Sequence, residues 1–547
     1  MAFGFLRVRQ ATSRRGQGKQ RNGLRWFAAM SAAAALTVGP VGQAQVLRDD
    51  FSSGTTAPDG WKLEGGAGRW EPPAGGRRPI SVTGNGDDMS YWSRQVPNLK
   101  PGSVYALRFR AKTLPGSTAL TVISGLDVCN RDFAATERWS DYSFAFTTPS
   151  DVSQSFLRLG QWHMKGTAEF SEVELLSATP VYSKAEGLTL GEGESVRSRR
   201  YQFRAPLGGY GSNSSRCLFS HTAAFNSDRW VFTGGMEVIY RHDTGAYRQT
   251  EGALRIGIGY YTGAELEVSV SKDGTQWVEI GHAASLGDHR FAVPASLYPA
   301  SAVYVRLRAT SATDPAGNSA PGAFQVNNYE YTAPLEDDPP NMTGATTYIQ
   351  VRKDFAGGKV EFEDLGGLGR SDRGNITVKA TPNQAATGQL VARLLIRMAN
   401  AAKPLEFADG VTAQAGKPAE FHIPYRLRGS GDMECTLTIE SVDGARRRTH
   451  YEATFQLYMP AYFAADYGHS LSAVPSGELW WCESTYKVSS ERQPPPQQFS
   501  ADVQSLRAIR GQGALSLKAA RREREHVQLI FRPFEDPGPI HVSVTDL

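Results

Sequence analysis

The chain has 547 residues, enough for about three to five domains, and its 40% apolar content allows several buried cores. With 56 glycines and 30 prolines it favours many tight turns over long helices. The net charge of +4 is concentrated at the start: residues 1–44 hold seven basic residues and no acid, leaving −3 on the remainder, which removes any electrostatic case for nucleic-acid binding.

The basic residues Arg7, Arg9, Arg14, Arg15, Lys19, Arg21 and Arg25 precede an apolar run from Trp26 to Val38, and Gly42-Gln43-Ala44 supplies small residues for cleavage. Residues 1–44 therefore read as a bacterial-type secretory signal peptide, sending the chain to the periplasm, the cell surface or the medium. The apolar run is short for a bilayer span. Arg14-Arg15 suits twin-arginine export, but Gly16-Gln17-Gly18 stands where apolar residues are expected, so Sec export, twin-arginine export and a retained helical anchor remain alternatives. No later segment has the length and apolarity of a membrane span. The four cysteines, Cys129, Cys217, Cys435 and Cys482, lack metal-ligand spacing and are expected to be mostly free thiols. Cys435 alternates in phase with Leu437 and Ile439, which places it in a core.

The chain is expected to be all-β, a series of tandem β-sandwiches. Residues 46–178 form a jelly roll. In its clearest strand, after the Pro101-Gly102 turn, Tyr105, Leu107, Phe109 and Ala111 alternate with Ala106, Arg108 and Arg110. Tyr142, Phe144 and Phe146 share a face in another, and Phe170, Val173 and Leu175 belong to the last. Residues 185–340 form a second sandwich. Its hairpin sets Leu266, Val268 and Val270 against Glu265, Glu267 and Ser269, turns at Lys272-Asp273-Gly274 and returns from Trp277. In another strand Val303, Val305 and Leu307 oppose Tyr304, Arg306 and Arg308. Leu335 to Pro340 (LEDDPP) is a linker by composition. Residues 345–460 read as an immunoglobulin-like domain with strands at 375–379, 419–428, 435–440 and 451–458. Residues 461–547 form a last sandwich, with a stiff proline-rich loop over 493–498. Its strand at 527–531 is expected to pair with one at 540–544 across Pro537-Gly538-Pro539.

Two resemblances attach to these segments. Asp50-Phe51, Tyr91-Trp92, the Pro-Gly-x-x-Tyr-x-Leu-x-Phe run from Pro101 to Phe109, and Phe170-Ser171-Glu172-Val173 make the jelly roll similar to carbohydrate-binding modules of families 4, 9 and 22. Leu479-Trp480, Lys487-Val488, Ala519-Ala520-Arg521 with Glu523 and Glu525, Gln528, and Asp546-Leu547 resemble the N-terminal sandwich of glycoside hydrolase family 123 and its relatives (domain of unknown function 4091). Arg522 stands where that family usually has Asn. The resemblance implies a catalytic (β/α) barrel beyond Leu547, so the last sandwich reads as truncated before it. The hairpin at 265–280 is also similar to hairpins of discoidin-like and sialidase-associated sandwiches.

Glycosidases need a pair of carboxyl groups at a set separation. In family 123 the resemblance implies an adjacent Asp-Glu on the barrel, and this sequence contains no Asp followed by Glu. Glu523 and Glu525 read as salt-bridging residues, and Trp480-Trp481 as packing. A Gly-x-Ser-x-Gly elbow and phosphate-cradling loops are missing from the sequence as well, so the chain as given is expected to be inactive. Sugar binding fits better, because aromatic faces stack on pyranose rings while polar neighbours fix orientation. The candidates in the jelly roll are Trp70, Tyr91, Trp92 and Trp162, with Arg77, Asn85, Asp87 and Gln161 as polar partners; Trp61 and Trp139 fit core positions. The alternative is that all these tryptophans are core. The module resemblance further implies a structural calcium between the first and last strands, held by Asp49, Asp50 and Glu172, with plain surface acids as the alternative. No cofactor is required. The expected function is the carbohydrate-binding and scaffolding part of a secreted glycoside hydrolase, with a polysaccharide or glycan and a downstream catalytic barrel as partners. The alternatives are a complete glycan- or protein-binding surface protein and a set of spacers with no ligand.

Overall fold

The computed structural model describes residues 45 to 540 except 74–77, 119–120, 210, 311, 314–318, 321–322, 356–357, 372, 384–385, 399–402, 428–430, 445, 460–468, 471–476, 484–487, 489–526 and 534–537. The signal-peptide segment, Arg77, the Ala519–Glu525 motif, the 540–544 pairing and Asp546-Leu547 therefore lie outside the described residues. Within them the chain is a tandem array of β-sandwiches, with a single 3-10 turn at Ala295–Leu297 joining two of the strands. No helix among the described residues is long and apolar enough to cross a membrane.

Period-two alternation becomes buried and exposed faces. Along Val104–Thr113, Tyr105, Leu107, Phe109 and Ala111 are buried while Arg108 and Arg110 point out. The first sandwich packs two sheets around Trp92, Phe109, Leu159, Phe170 and Val173. One contains Ile80–Asn85, Lys165–Ala185, Val104–Thr113 and Ser140–Thr147; the other orders Lys62–Glu64, Met89–Gln95, Phe156–Trp162, Thr121–Leu126 and Cys129–Ala134.

Neither sheet stops at the end of this sandwich. Cys129–Ala134 pairs in parallel with Ala224–Asn226, Phe225 opposite Cys129, and so extends one sheet to 13 strands across the second sandwich. The other continues through Lys165–Ala185, a 21-residue strand. Its later part pairs with Thr346–Lys353, from Ala178↔Gln350 to Tyr182↔Thr346, and leads into the third sandwich. Side chains seal the first junction. The Asn213 side chain spans the Thr147 peptide, accepting from its N–H at 3.1 Å and donating to its carbonyl at 2.8 Å. Buried His221 meets the same carbonyl at 3.0 Å. One apolar core consequently runs unbroken from Leu47 to Leu335.

The Leu335–Pro340 stretch is fastened rather than free. Leu335 is buried with its N–H on the Arg199 carbonyl at 2.8 Å, and Glu336 pairs with Arg248 at 2.6 Å. Pro339 and Pro340 lie between the strands Ala323–Pro334 and Met342–Thr343, and the neighbours of the stretch dock it on the second sandwich. The third sandwich has its own core of Ile376, Val378, Leu394, Ile396, Phe421, Ile423, Leu437 and Ile439, with Cys435 buried in phase. Beyond it His469–Ser470, Gly477–Glu483 and Val527–Pro533 form a small sheet that buries Trp480 and Cys482. All four cysteines are buried, and none is joined to another.

The second sandwich holds an ion pair out of water. Glu194, whose side chain is 0% exposed, accepts from Gly191 N–H at 2.6 Å, the Tyr201 hydroxyl at 2.7 Å, and Arg216 through Nε at 2.7 Å and Nη2 at 2.5 Å. Every acceptor site is used, which offsets desolvation. Glu194→Ala leaves the Arg216 guanidinium buried without its counter-charge, and should lower unfolding free energy by about 3–5 kcal/mol in urea titrations. Nearby, His242 stacks on Tyr331 at 4.0 Å and meets the Tyr329 hydroxyl at 2.8 Å. Burial holds this imidazole well below its usual range, and Arg216 adds to the shift. The unfolded chain takes up that proton near pH 6.5 and the folded chain does not. Stability should therefore be kept above about pH 6.5 and lost as pH falls below it. His242→Phe should flatten that dependence in part, with His221 and His450, which burial shifts the same way, contributing to the remainder.

Candidate functional site

The strand Phe156–Trp162 carries the site by its parity. Leu157, Leu159 and Gln161 turn into the core, so Phe156, Arg158, Gly160 and Trp162 line the outer face. On the neighbouring strand Tyr91 lies opposite Gly160 and Met89 opposite Trp162. Gly160 is required by this close approach: a Cβ there would overlap the Ser90 carbonyl and the Cβ of Tyr91. Tyr91 leans over the glycine and stacks on Phe156 at 6.2 Å and 14°. Trp162 is 47% exposed and stacks on His163 at 4.3 Å. Phe156, Tyr91 and Trp162 thus form an aromatic row along the sheet, about 20 Å long at strand rise.

Charged groups flank the middle of the row. The Arg158 guanidinium lies 5.9 Å from the Tyr91 ring, and its buried Nε–H has no acceptor among the described residues. Burial lowers its pKa, while Tyr91, Asp127 and Asp132 pull it back up. Asp127 accepts from the Phe156 N–H at 3.2 Å. Burial raises the carboxyl of Asp127 and that of Asp132 above the usual range; against it act the Phe156 N–H and Arg158 at Asp127, and Ser227, Arg229 and Arg158 at Asp132. The face therefore offers stacking rings, a guanidinium donor and two carboxylate acceptors.

The other candidates separate. Asn85 and Asp87 are exposed in the turn beside Trp162, Asn85 accepting from the Asp87 N–H at 2.8 Å and donating its own N–H to Asp88 at 3.0 Å. Gln161 is fully buried beneath that turn, donating to Asp88 and Ser90 and accepting from Met164 N–H at 2.9 Å, so it braces the turn. Trp92 is a core residue, 4% exposed, with its indole N–H on the Ser81 carbonyl at 2.9 Å. Trp70 sits in the opposite sheet, where the Arg78 guanidinium covers it at 3.2 Å. Trp61 is buried, but Trp139 is only half-buried, with the Lys112 ammonium 5.1 Å from its ring. Sequence reasoning missed Phe156, Arg158, Asp127 and Asp132. The alternation in Phe-Leu-Arg-Leu-Gly-Gln-Trp was the available signal, since it sets Trp162 out and Gln161 in.

The carboxylates considered for calcium do not converge. Asp49 pairs with Arg94 and accepts from the Trp61 indole at 3.0 Å and the Phe51 N–H at 2.7 Å. A guanidinium thus occupies the place of a cation. Asp49 is opposite Val173 in the sheet, so the next residue, Glu172, projects from the other face. Asp50 is exposed, its carboxyl held low by Ser52. These three residues do not fit a calcium ion, and among the described residues no group of three or more His, Cys, Asp or Glu is placed to hold a metal.

No family model matches the chain. No curated protein matches it either. Among solved structures it is similar to the tandem CBM22-1–CBM22-2 domain of Xyn10C from Paenibacillus barcinonensis, at 14% identity over 53% of this chain and 99% of that one, with a TM-score of 0.23. It is similar also to a glycosyl hydrolase family 2 member from Bacteroides cellulosilyticus, at 9% identity over 53% of this chain and 35% of that one, TM-score 0.15. A third is the exo-chitosanase CsxA of Amycolatopsis orientalis, at 13% identity over 45% of this chain, TM-score 0.12. The chain spans 35% and 27% of the lengths of these two enzymes. None of the three reaches a TM-score of 0.5, and the functional reading rests on the chain's own residues.

Gly160→Ala tests the geometry of the row. It should displace Tyr91 and lower stability by about 1–3 kcal/mol, read from the urea midpoint.

Proposed function

We propose that this chain is the carbohydrate-binding and scaffolding part of a secreted glycoside hydrolase, and that the Phe156–Tyr91–Trp162 face receives the glycan. The observation that carries the reading is the row itself: three rings on one sheet face, with Arg158, Asp127 and Asp132 beside them. Pyranose rings stack on such platforms by their C–H faces. Their hydroxyls accept from the Arg158 guanidinium and donate to the two carboxylates. Within the whole enzyme the bound glycan raises the effective concentration of substrate at a catalytic barrel. The resemblance of Leu479-Trp480 and Gln528 to family 123 supports a barrel following this chain, and the basic, then apolar, N-terminus supports export. N-acetylgalactosamine-containing glycans are the sugars which that resemblance favours.

Retention of the full chain on insoluble polysaccharides and immobilised glycans tests the reading. Tyr91→Ala and Trp162→Ala should each weaken binding about five- to tenfold. Trp92→Phe, a core change, should leave affinity unaltered in the folded fraction. Because burial raises the two carboxyls, binding should fall with decreasing pH at values above the ordinary carboxylate range of about 4. Equal retention of wild type and the Tyr91→Ala/Trp162→Ala double variant would refute the site.

A further inference from the structure

The second sandwich presents a different aromatic surface, far along the chain from Trp162. Its five-stranded sheet orders Leu218–His221, Glu237–Asp243, Ala302–Thr310, Glu265–Ser271 and Val278–Ala283. Inside, Val303, Val305 and Leu307 are fully buried. Outside, Tyr304, Arg306 and Arg308 alternate with them. Phe219 is 53% exposed and reaches across the Glu237–Asp243 strand to meet Tyr304 edge-on at 5.3 Å. Trp277 lies over the Arg306 guanidinium at 4.7 Å.

These rings are fixed in place. Gly274, at φ 74°, lets the hairpin turn close on Tyr304, and a Cβ there would press on the ring at 3.2 Å. The turn is tied by the Asp273 carboxylate, which accepts from the N–H groups of Thr275 and Gln276 at 2.8 Å each. Arg306 also donates to Glu267 at 3.1 Å, and Arg241 pairs with Asp243 at 2.7 Å. Rigid rings lose little entropy when a ligand stacks on them.

We propose that this outer face is a second carbohydrate-binding surface, separate from the first, which takes an extended chain of uncharged pyranoses across Phe219, Tyr304 and Trp277. Its chemistry selects that occupant. The outward positions around the rings are Ser269, Arg241, Arg306, Arg308 and Glu267, and the aliphatic Ile239 between them is nearly covered, so the face lacks the exposed aliphatic area of a protein-docking patch. Arg241 pairs with Asp243 and Arg306 with Glu267, while Arg308 lies opposite Glu237 and Glu267 in the sheet, so carboxylates offset the cationic field that an anionic membrane or a polyanion would need. What remains is aromatic area edged by donors and acceptors on a sheet about 19 Å across its four strand spacings. With two faces on one body, a single polysaccharide or particle can be held at two points, and avidity exceeds either affinity.

The test uses the full chain on microcrystalline cellulose, insoluble xylan and chitin. In a Tyr91→Ala/Trp162→Ala background, retention should persist at a level below that of the wild type, and adding Phe219→Ala should weaken it by a further factor of about five to ten. Phe219 is exposed, so the change should not disturb folding; a Trp277→Ala variant with an unchanged urea midpoint gives an independent second reading. Retention that persists but is insensitive to both changes overturns the second face. Loss of all retention in the Tyr91→Ala/Trp162→Ala background also overturns it, while leaving the first site standing. A wild-type chain that binds none of the three polymers overturns the second face for uncharged pyranose chains; glycan binding by the first site would still be decided by the immobilised glycans.

Discussion

A β-sandwich leaves strand edges whose N–H and C=O groups must be paired, covered or solvated. In this chain the next sandwich covers them. Cys129–Ala134 would end one sheet of the jelly roll, but Ala224–Asn226 pairs with it in parallel. Thr346–Lys353 pairs with the later part of Lys165–Ala185, whose earlier part belongs to the jelly roll. Backbone hydrogen bonding thus crosses the divisions between sandwiches. The first two share one core from Leu47 to Leu335, while the third keeps its own. A hinge between the first two would have to break a sheet, the Asn213–Thr147 clamp and a common core together.

That continuity bears on the proposed glycan face. The aromatic row of the jelly roll lies on the sheet that extends into the second sandwich. Ser227 and Arg229, from the second sandwich, reach the surroundings of Asp132. The electrostatics of the site are therefore set by residues nearly a hundred positions apart in sequence. The raised carboxyls of Asp127 and Asp132 and the lowered guanidinium pKa of Arg158 are properties of this junction, since all three arise from burial there. The face that carries Phe219 and Tyr304 belongs to the five-stranded sheet, not to the sheet of the aromatic row, so a ligand on either proposed face would leave the other open.

The interior of the second sandwich is built around polar groups. Glu194, Arg216, Tyr201, His242, Gln249 and Tyr331 form a hydrogen-bonded and stacked interior. Such networks penalise alternatives that leave a charge unpaired in the dry interior, and here the Glu194 carboxylate and the Arg216 guanidinium are paired. Here the network holds the strand Ala323–Pro334 against the Glu237–Asp243 strand, which are the two sheets that the aromatic faces decorate.

The sequence by itself determined the fold class and the parity of most strands, because period-two alternation of apolar and polar residues is a local property. Tyr105 to Ala111, Leu266 to Val270, Val303 to Leu307 and Cys435 to Ile439 all bury the side that their spacing indicates. The same parity separates Tyr91 from Trp92 and Trp162 from Gln161, which composition alone had grouped together. Tertiary structure decided the rest. Which strand lies beside which is a matter of long-range pairing, so neither the contact of Tyr91 with Phe156 across Gly160 nor the approach of Asp127 and Asp132 to Arg158 can be read from spacing. Asp49 shows the converse: as a sequence position it suits a calcium ion, and folding gives it Arg94 instead. Local pattern fixes the direction in which a side chain points; only the packed sheets fix what it meets there.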